Sequence, residues 1–371
     1  MPPPTQRPWR IAHAETSLGW GGQEIRILTE MTALRARGHQ LLLAAPEQSR
    51  IFARAREEQF AVFPLGAEKL SFPVSVLRLC RFLRSEAVDI LNPHSSRDGW
   101  IAGLAGRLAG VPFIVRSRHF EVPITSPSFS RVVFTRLADH LITTSPKITA
   151  QLQATFSLPD ERVSTVPTGI DPELFYPTGA KASLPAPTDQ ASWPRIGMIA
   201  VLRAAKGHTT LVRAARRLHD TGLPVRLVFA GEGPSRGPID EEIARQRLGH
   251  CVQFLGYRED VPELLRALDL LAIPSLHEGI PQIALQALAT EVPVVGSDVG
   301  GIPSVIEAGQ TGRLFPAGND VALAETIRTA LTQVAAMRSM AEEGRRRVLE
   351  RHTVAVMADA LEAIYRRHLP G

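Results

Sequence analysis

The chain has 371 residues, of which 44% are hydrophobic and 21% charged, so it is an ordinary globular protein long enough for two domains. No apolar run reaches the roughly 18 residues that span a bilayer. The N-terminus lacks the apolar core of a signal peptide, so we expect a cytoplasmic protein. The two cysteines, Cys80 and Cys251, are too few for a disulfide or metal framework.

Charge is unevenly distributed along the sequence. Residues 1–168 contain 20 Lys and Arg against 14 Asp and Glu, whereas residues 169–371 contain 22 against 23, which together give the net charge of +5. The basic first half suggests a surface for an anionic lipid or an anionic acceptor, and a compositional bias toward arginine explains it equally well. The basic residues are not interleaved with aromatic ones, which argues against nucleic-acid binding.

The first half alternates apolar strands with helices, a pattern that predicts a doubly wound α/β domain over residues 1–168. Strands are predicted at 9–14, 41–45, 61–63, 88–92, 112–117 and 140–144. Gly21 and Gly22 lie in the turn after the first strand, which is either a ligand loop or only a tight corner. His94 and His119 follow two later strands, at the sheet edge where ligands gather in such folds. Each histidine is either a functional group or a satisfied structural residue.

A predicted helix near residues 74–86 carries Arg78, Arg81 and Arg84 at three-residue spacing beside apolar residues. Such a stripe can rest on an anionic membrane surface. It can equally be the solvated face of a helix that covers the sheet.

The second half repeats the pattern of the first. Residues 169–194 are rich in proline and lack periodicity, so we predict an interdomain linker there. A second doubly wound domain is predicted over residues 195–352, with strands at 196–202, 225–230, 252–255, 270–273 and 293–295. Arg203 and Lys206 follow the first of these strands, where their charges suit the neutralisation of a diphosphate leaving group.

The stretch after Ile273 has the features of a phosphate site. A loop leads into a helix that begins near Pro281, and a helix start presents unpaired N–H groups and the positive end of the helix dipole. Gly279 lets a ligand approach the backbone, and Pro281 fits the first helical position. A diphosphate would repel Glu278, so a functional Glu278 should face sugar hydroxyls; otherwise it only caps the helix.

The string EGIPQIALQALATEVPVV, residues 278–295, resembles the donor-binding motif of family 4 glycosyltransferases. Gln286 stands where that motif has a second glutamate, so we expect donor binding weakened by roughly 1 kcal/mol. The family also has a motif in which an arginine precedes a Lys-Gly pair, and Lys206 and Gly207 match that pair. Val201 occupies the usual arginine position, and Arg203 follows two residues later.

The resemblance implies a GT-B fold, in which two Rossmann-like domains face each other across a cleft. It places the acceptor mainly on the first domain and the nucleotide sugar mainly on the second, with a helix in residues 353–371 crossing back to the first domain. It also implies retention of anomeric configuration without a required metal or other cofactor, and the sequence has no Asp-x-Asp triplet suited to a divalent ion.

The resemblance also assigns roles to residues. His94 would position the donor sugar and Glu278 would hold its hydroxyls, while Arg203 and Lys206 would stabilise the leaving diphosphate. Further donor contacts would come from Gly21, Gly22, Tyr257, Gly279, Ile280, Pro281 and Gln286.

On this basis we expect a hexosyltransferase that uses a nucleotide sugar and a glycan or glycolipid acceptor. Lipopolysaccharide or polysaccharide assembly at the inner face of a bacterial plasma membrane is the expected setting. Two alternatives stay open: a nucleotide-sugar 2-epimerase, and a nucleotide-sugar-binding protein of the same fold that has lost turnover.

Overall fold

The computed structural model describes residues 7–66, 72–120, 124, 126–185 and 187–369. The first six residues of the N-terminal segment and Ala186 of the predicted linker lie outside this range. The chain forms two compact units, one built from residues 1–169 and 354–371 and the other from residues 170–353.

The first unit is a seven-stranded parallel sheet with the order β3-β2-β1-β4-β5-β6-β7. Its strands are β1 (Arg10–Ala14), β2 (Gln40–Ala45), β3 (Ala61–Pro64), β4 (Ile90–Pro93), β5 (Phe113–Arg118), β6 (His140–Thr143) and β7 (Val163–Thr165). Its helices are α1 (Gly22–Ala36), α2 (Arg50–Glu57), α3 (Phe72–Ser85), α4 (Ser96–Ala109), α5 (Pro127–Thr135), α6 (Pro146–Phe156) and the last helix of the chain. The strands that the sequence predicts are present, because continuous apolar runs such as residues 41–45 are buried as in a parallel sheet.

The second unit repeats this topology with six strands in the order β10-β9-β8-β11-β12-β13. Its strands are β8 (Arg195–Ile199), β9 (Arg226–Ala230), β10 (Val252–Phe254), β11 (Leu270–Ile273), β12 (Val294–Ser297) and β13 (Arg313–Phe315). Its helices are α7 (His208–Asp220), α8 (Arg236–Arg245), α9 (Val261–Arg266), α10 (Gln282–Ala289), α11 (Asp320–Thr332) and α12 (Val334–Arg351). In both sheets the first and fourth strands are neighbours, which creates the switch point where such folds bind ligands.

Two segments outside the sheets complete the hydrophobic cores. Helix α13 (Val354–His368) belongs to the first unit, where Leu361 and Tyr365 pack in the same core cluster as Ile11 of β1. Of the residues predicted as a linker, 169–194, the described ones from Ile170 onward lie in the second unit, and Phe175 is buried in its core. Among the described residues, no helix is long and apolar enough to cross a bilayer.

Candidate functional site

The loops that follow β8 and β11 meet at the switch point of the second sheet. These strands are parallel neighbours, with Leu270 paired to Ile196, so their carboxyl ends lie at the same edge. A short 3₁₀ turn, Ala204–Lys206, follows β8, and residues 274–281 follow β11. The amide of Leu276 donates to the carbonyl oxygen of Ala205 at 2.7 Å, which joins the two loops directly.

Lys206 and Glu278 form an ion pair across these loops. The Lys206 Nζ lies 2.6 Å from Glu278 Oε2, and the Ser275 hydroxyl donates to the same oxygen at 2.9 Å. The Lys206 and Glu278 side chains are 28% and 10% exposed, so the pair is partly screened by solvent. The sequence assigned these residues to different parts of a ligand and did not predict that they bind each other.

Two glycines allow this packing. Gly207 has φ +78°, and a Cβ there would lie 1.9 Å from the carbonyl oxygen of Pro274. Gly300, which follows β12, has φ +57°, and a Cβ there would lie 1.9 Å from the carbonyl oxygen of Glu278. The Glu278 loop is therefore held between two backbones that approach it too closely for any side chain.

Helix α10 begins just beyond this loop. Pro281 is the N-cap with ψ 103°, one residue earlier than the first helical position predicted for it, and no side chain caps the helix start. Gly279 and Ile280 are half-buried beside it. The positive end of the helix dipole at this point suits an anion.

The other predicted contacts of the second unit are more dispersed. Arg203 is exposed at the start of the turn after β8, with no hydrogen bond or ion pair from its side chain to the described residues. Tyr257 is half-buried beyond the end of β10, which lies two strands from β8. Gln286 is half-buried on α10. The structure thus brings Lys206 together with Glu278. Arg203 contacts Lys206 only through its backbone, where its carbonyl oxygen accepts from the Lys206 amide at 2.9 Å among the described residues.

The first unit contains a chain of three hydrogen-bonded histidines at its own switch point. His13 Nδ1 lies 2.8 Å from His94 Nε2, and His94 Nδ1 lies 2.9 Å from His119 Nε2. All three rings are buried, and neighbouring rings stack with centroids 5.1 and 5.2 Å apart. We call His13, His94 and His119 the histidine relay.

The relay alters the role predicted for His94. Because both of its ring nitrogens are bonded to other histidines, His94 has none left for a donor sugar in this arrangement. His119 Nδ1, in contrast, has no partner among the described residues. Burial lowers the pKa of His13 to about 3 and holds the pKa values of His94 and His119 well below the ordinary value, so all three rings are neutral.

The inner end of the relay lies beside a buried ion pair. Arg26 Nε donates to Glu30 Oε1 at 2.7 Å, and the same guanidinium donates to Thr168 Oγ1 and to the carbonyl oxygen of Val166. Burial raises the pKa of Glu30, and Arg26 opposes that rise. His13 Nε2 and Glu30 Oε2 are both buried without a hydrogen-bond partner among the described residues.

The glycine-rich turn of the first unit is already occupied by protein groups. The Gly21 amide donates to Glu24 Oε2 at 2.9 Å, so a carboxylate lies at the start of α1 where Gly21 and Gly22 were predicted to contact the donor. Glu15, which the sequence reasoning missed although it directly follows β1, accepts from the Ser17 amide at 2.7 Å. Burial and the nearby Asp98 raise the pKa of Glu15 to about 8.

Buried arginine adds positive charge at the end of β5. Arg116 Nη2 donates to the carbonyl oxygen of Ser95 at 3.1 Å, and its guanidinium lies 4.5 Å from the ring centroid of Phe134. Its Nε and Nη1 have no partner among the described residues. A Cβ at Gly99 would lie 1.4 Å from Arg116 Nη1, so glycine there makes room for this buried cation.

Two groups among the described residues bring three metal-type ligand atoms within 4.8 Å of one another. One is His13, Glu30 and His94, in which both histidines are already bonded in the relay. The other is His219, His250 and Cys251, which precedes β10 and therefore lies at the opposite sheet edge from Lys206 and Glu278.

The whole chain matches solved structures of one architecture. The crystal structure of Anabaena HepE in complex with UDP and glucose superposes with a TM-score of 0.83 at 20% identity, over 97% of this chain and 100% of that one. The protein therefore has the GT-B fold of glycosyltransferases, and the predicted fold class is confirmed.

The chain belongs to the glycosyltransferases of group 1, as the resemblance predicted. The family described as "Glycosyl transferases group 1" matches residues 188–347, and "Glycosyltransferase Family 4" matches residues 20–174. A D-inositol 3-phosphate glycosyltransferase of Mycobacterium avium (strain 104) is 30% identical over 94% of this chain and 89% of its own length.

Other relatives differ in how much of them the chain spans. EpsF of Bacillus subtilis (strain 168), named as a glycosyltransferase, is 34% identical over 64% of this chain, and the match spans 65% of that relative's length. The Escherichia coli UDP-Gal:alpha-D-GlcNAc-diphosphoundecaprenol alpha-1,3-galactosyltransferase is 25% identical over 78% of each chain.

Proposed function

We propose that this protein is a retaining glycosyltransferase that moves a hexose from a nucleotide-diphosphate sugar to a glycan or glycolipid acceptor, without a required metal. The observation that carries the proposal is the Lys206–Glu278 pair beside the uncapped start of α10. It places a cation and the positive end of a helix, which suit a diphosphate, beside a carboxylate that suits sugar hydroxyls.

The ion pair removes a difficulty in that arrangement. A carboxylate beside a diphosphate is unfavourable, but Lys206 already neutralises Glu278 through Oε2. The ammonium group has further N–H donors for phosphate oxygens, and Glu278 Oε1 accepts from a sugar hydroxyl. As the bond to the leaving diphosphate breaks, Lys206 and the positive end of α10 stabilise the negative charge that develops on it, and the exposed Arg203 is a second cation.

The donor is proposed to be a uridine diphosphate sugar. HepE was solved with UDP and glucose, and the name of the E. coli relative specifies UDP-Gal. A thermal-shift panel of UDP, GDP, ADP and their sugar conjugates, without metal, tests this. Ligand at 100 times its Kd stabilises the native state by about 2.7 kcal/mol. We expect only the uridine compounds to raise the melting temperature.

The same panel tests the effect of the residue that departs from the family motif. Gln286→Glu restores a charged acceptor, so we expect UDP-sugar to bind more tightly by roughly 1 kcal/mol, or about fivefold in Kd. No shift with any nucleotide would contradict the proposed function. Binding without transfer to any acceptor would favour a binding protein that has lost turnover. Gln286 and Val201, which depart from the family motif, are the sequence features that support this alternative.

The acceptor is proposed to be anionic and carried on a membrane, as in lipopolysaccharide or polysaccharide assembly at the cytoplasmic face. Helix α3 exposes Arg78, Arg81 and Arg84, and Val74 and Leu77 beside them are each 55% exposed. Basic and apolar side chains on one helix face suit an anionic bilayer surface. The buried Arg116 adds positive charge to the same unit.

Co-sedimentation with phosphatidylglycerol vesicles tests this acceptor class. We expect the wild type to sediment with anionic vesicles, and Arg78→Glu combined with Arg81→Glu to weaken binding at least tenfold, since each basic residue near the surface contributes about 1 kcal/mol. Arg216→Glu combined with Arg217→Glu, on α7 of the other unit, is the matched control. Equal sedimentation of all three proteins, or transfer only to soluble acceptors, would contradict the membrane proposal.

A further inference from the structure

The histidine relay couples the protonation of three rings. A neutral imidazole carries one N–H and one bare nitrogen. The two hydrogen bonds of the relay run from His13 Nδ1 to His94 Nε2 and from His94 Nδ1 to His119 Nε2. Each bond needs one N–H and one lone pair. The nitrogen that carries the hydrogen in one ring therefore determines which nitrogen carries it in the next ring.

Only two arrangements satisfy both bonds. In the first, every ring carries its hydrogen on Nε2, so His119 donates to His94 and His94 donates to His13. In the second, every ring carries its hydrogen on Nδ1, and both bonds reverse. The first arrangement leaves His119 Nδ1 as a bare acceptor, whereas the second makes it a donor.

Glu30 favours the first arrangement. Ligand-type atoms of His13, His94 and Glu30 lie within 4.8 Å of one another, and Glu30 Oε1 is bonded to the Arg26 guanidinium at 2.7 Å. Glu30 Oε2 and His13 Nε2 are both buried and unpartnered among the described residues. Arg26 favours the ionised form of Glu30. A carboxylate oxygen attracts an N–H and repels a lone pair, so the ionised Glu30 favours a hydrogen on His13 Nε2.

We propose that His13 and His94 are positioning residues, which transmit the charge of Glu30 through the relay and fix His119 with a bare Nδ1 as a hydrogen-bond acceptor for a substrate hydroxyl. The tautomer of His119 is thus set by Glu30, whose charge acts on His13 and is passed on through the two hydrogen bonds of the relay. The role of His119 as an acceptor for a substrate hydroxyl rests on the proposed function, whereas the tautomer of His119 does not.

NMR of histidine-labelled protein measures the tautomers directly, because protonated and bare ring nitrogens give separate ¹⁵N shifts. Single substitutions of the relay histidines assign the signals. We expect all three rings to be protonated on Nε2. In His13→Phe, which keeps a stacked ring but no acceptor, we expect His94 and His119 to lose this single tautomer. In His13→Asn an amide oxygen replaces Nδ1 as acceptor, so we expect the tautomer to be retained.

His140→Phe is the matched control, since His140 is buried in the same sheet but is bonded to Ser164 Oγ, outside the relay. If the three rings show mixed tautomers, or if His119 is unchanged in His13→Phe, the proposal is overturned. In steady-state kinetics we expect His13→Phe to lower kcat about tenfold while the donor KM stays within twofold. We expect His13→Asn to keep most of the wild-type kcat. Expected tautomers in a protein with no transferase activity would overturn the proposed function and leave the tautomer assignment intact.

Discussion

Lys206→Ala is expected to lower kcat/KM for sugar transfer by about 100- to 1,000-fold, the usual loss when one preorganised donor to a developing anion is removed. The substitution also leaves Glu278, which is only 10% exposed, without its cation 2.6 Å away. We therefore expect a loss of unfolding free energy of about 1–3 kcal/mol, reduced by the partial exposure of Lys206. Initial rates and urea unfolding measure the two effects.

A second substitution separates the loss of activity from the loss of stability. Lys206→Ala combined with Glu278→Gln removes the unpaired charge, so we expect stability to return and activity to stay low. Lys181→Ala is the control, because Lys181 is an exposed lysine of the same unit. Activity of Lys206→Ala within threefold of the wild type would exclude Lys206 from leaving-group stabilisation.

Gly207→Ala is expected to unfold or disassemble the loops that hold the ion pair. The added Cβ would lie 1.9 Å from the Pro274 carbonyl oxygen, at a backbone φ of +78°. Gly222 has nearly the same φ, +77°, but a Cβ there meets nothing within 4 Å. Gly222→Ala therefore carries only the backbone strain, about 1–2 kcal/mol, whereas Gly207→Ala adds a collision with backbone and should cost about 3 kcal/mol or more.

Urea unfolding midpoints and UDP-sugar thermal shifts compare the two variants. We expect Gly222→Ala to bind the donor normally, and Gly207→Ala to lose binding because the turn after β8 moves away from residues 274–276. Equal midpoints for the two proteins would show that the loops separate easily. The close packing of Gly207 against Pro274 would then contribute nothing to the free energy of unfolding.

Strand and helix periodicity predicted the α/β architecture because the central strands are continuous apolar runs. The edge strands β7 and β13 were missed, since three residues are too few to show a periodic pattern and neither strand lies in a longer apolar run. Pairing with β6 and β12 defines them instead. Tertiary contacts of this kind are invisible to local sequence patterns.

The site was predicted in its residue types but not in its connections. Lys206 and Glu278 were both singled out, yet 72 residues separate them, and no local pattern indicates that they pair. His13 was not considered, although a doubly wound sheet places its first strand beside its fourth, where His94 follows. Applying that strand order to every polar residue at a strand end would have found the relay.

The position of α13 has a consequence for synthesis on the ribosome. Residues 1–169 of the first unit precede the second unit in the sequence, yet Leu361 and Tyr365 of the first core are made after the whole of the second unit. At 5–20 residues per second, the delay between residues 169 and 354 is roughly 10–40 s. During that interval the first sheet lacks the helix that completes its core, whereas the second unit is made without such a gap in its sequence.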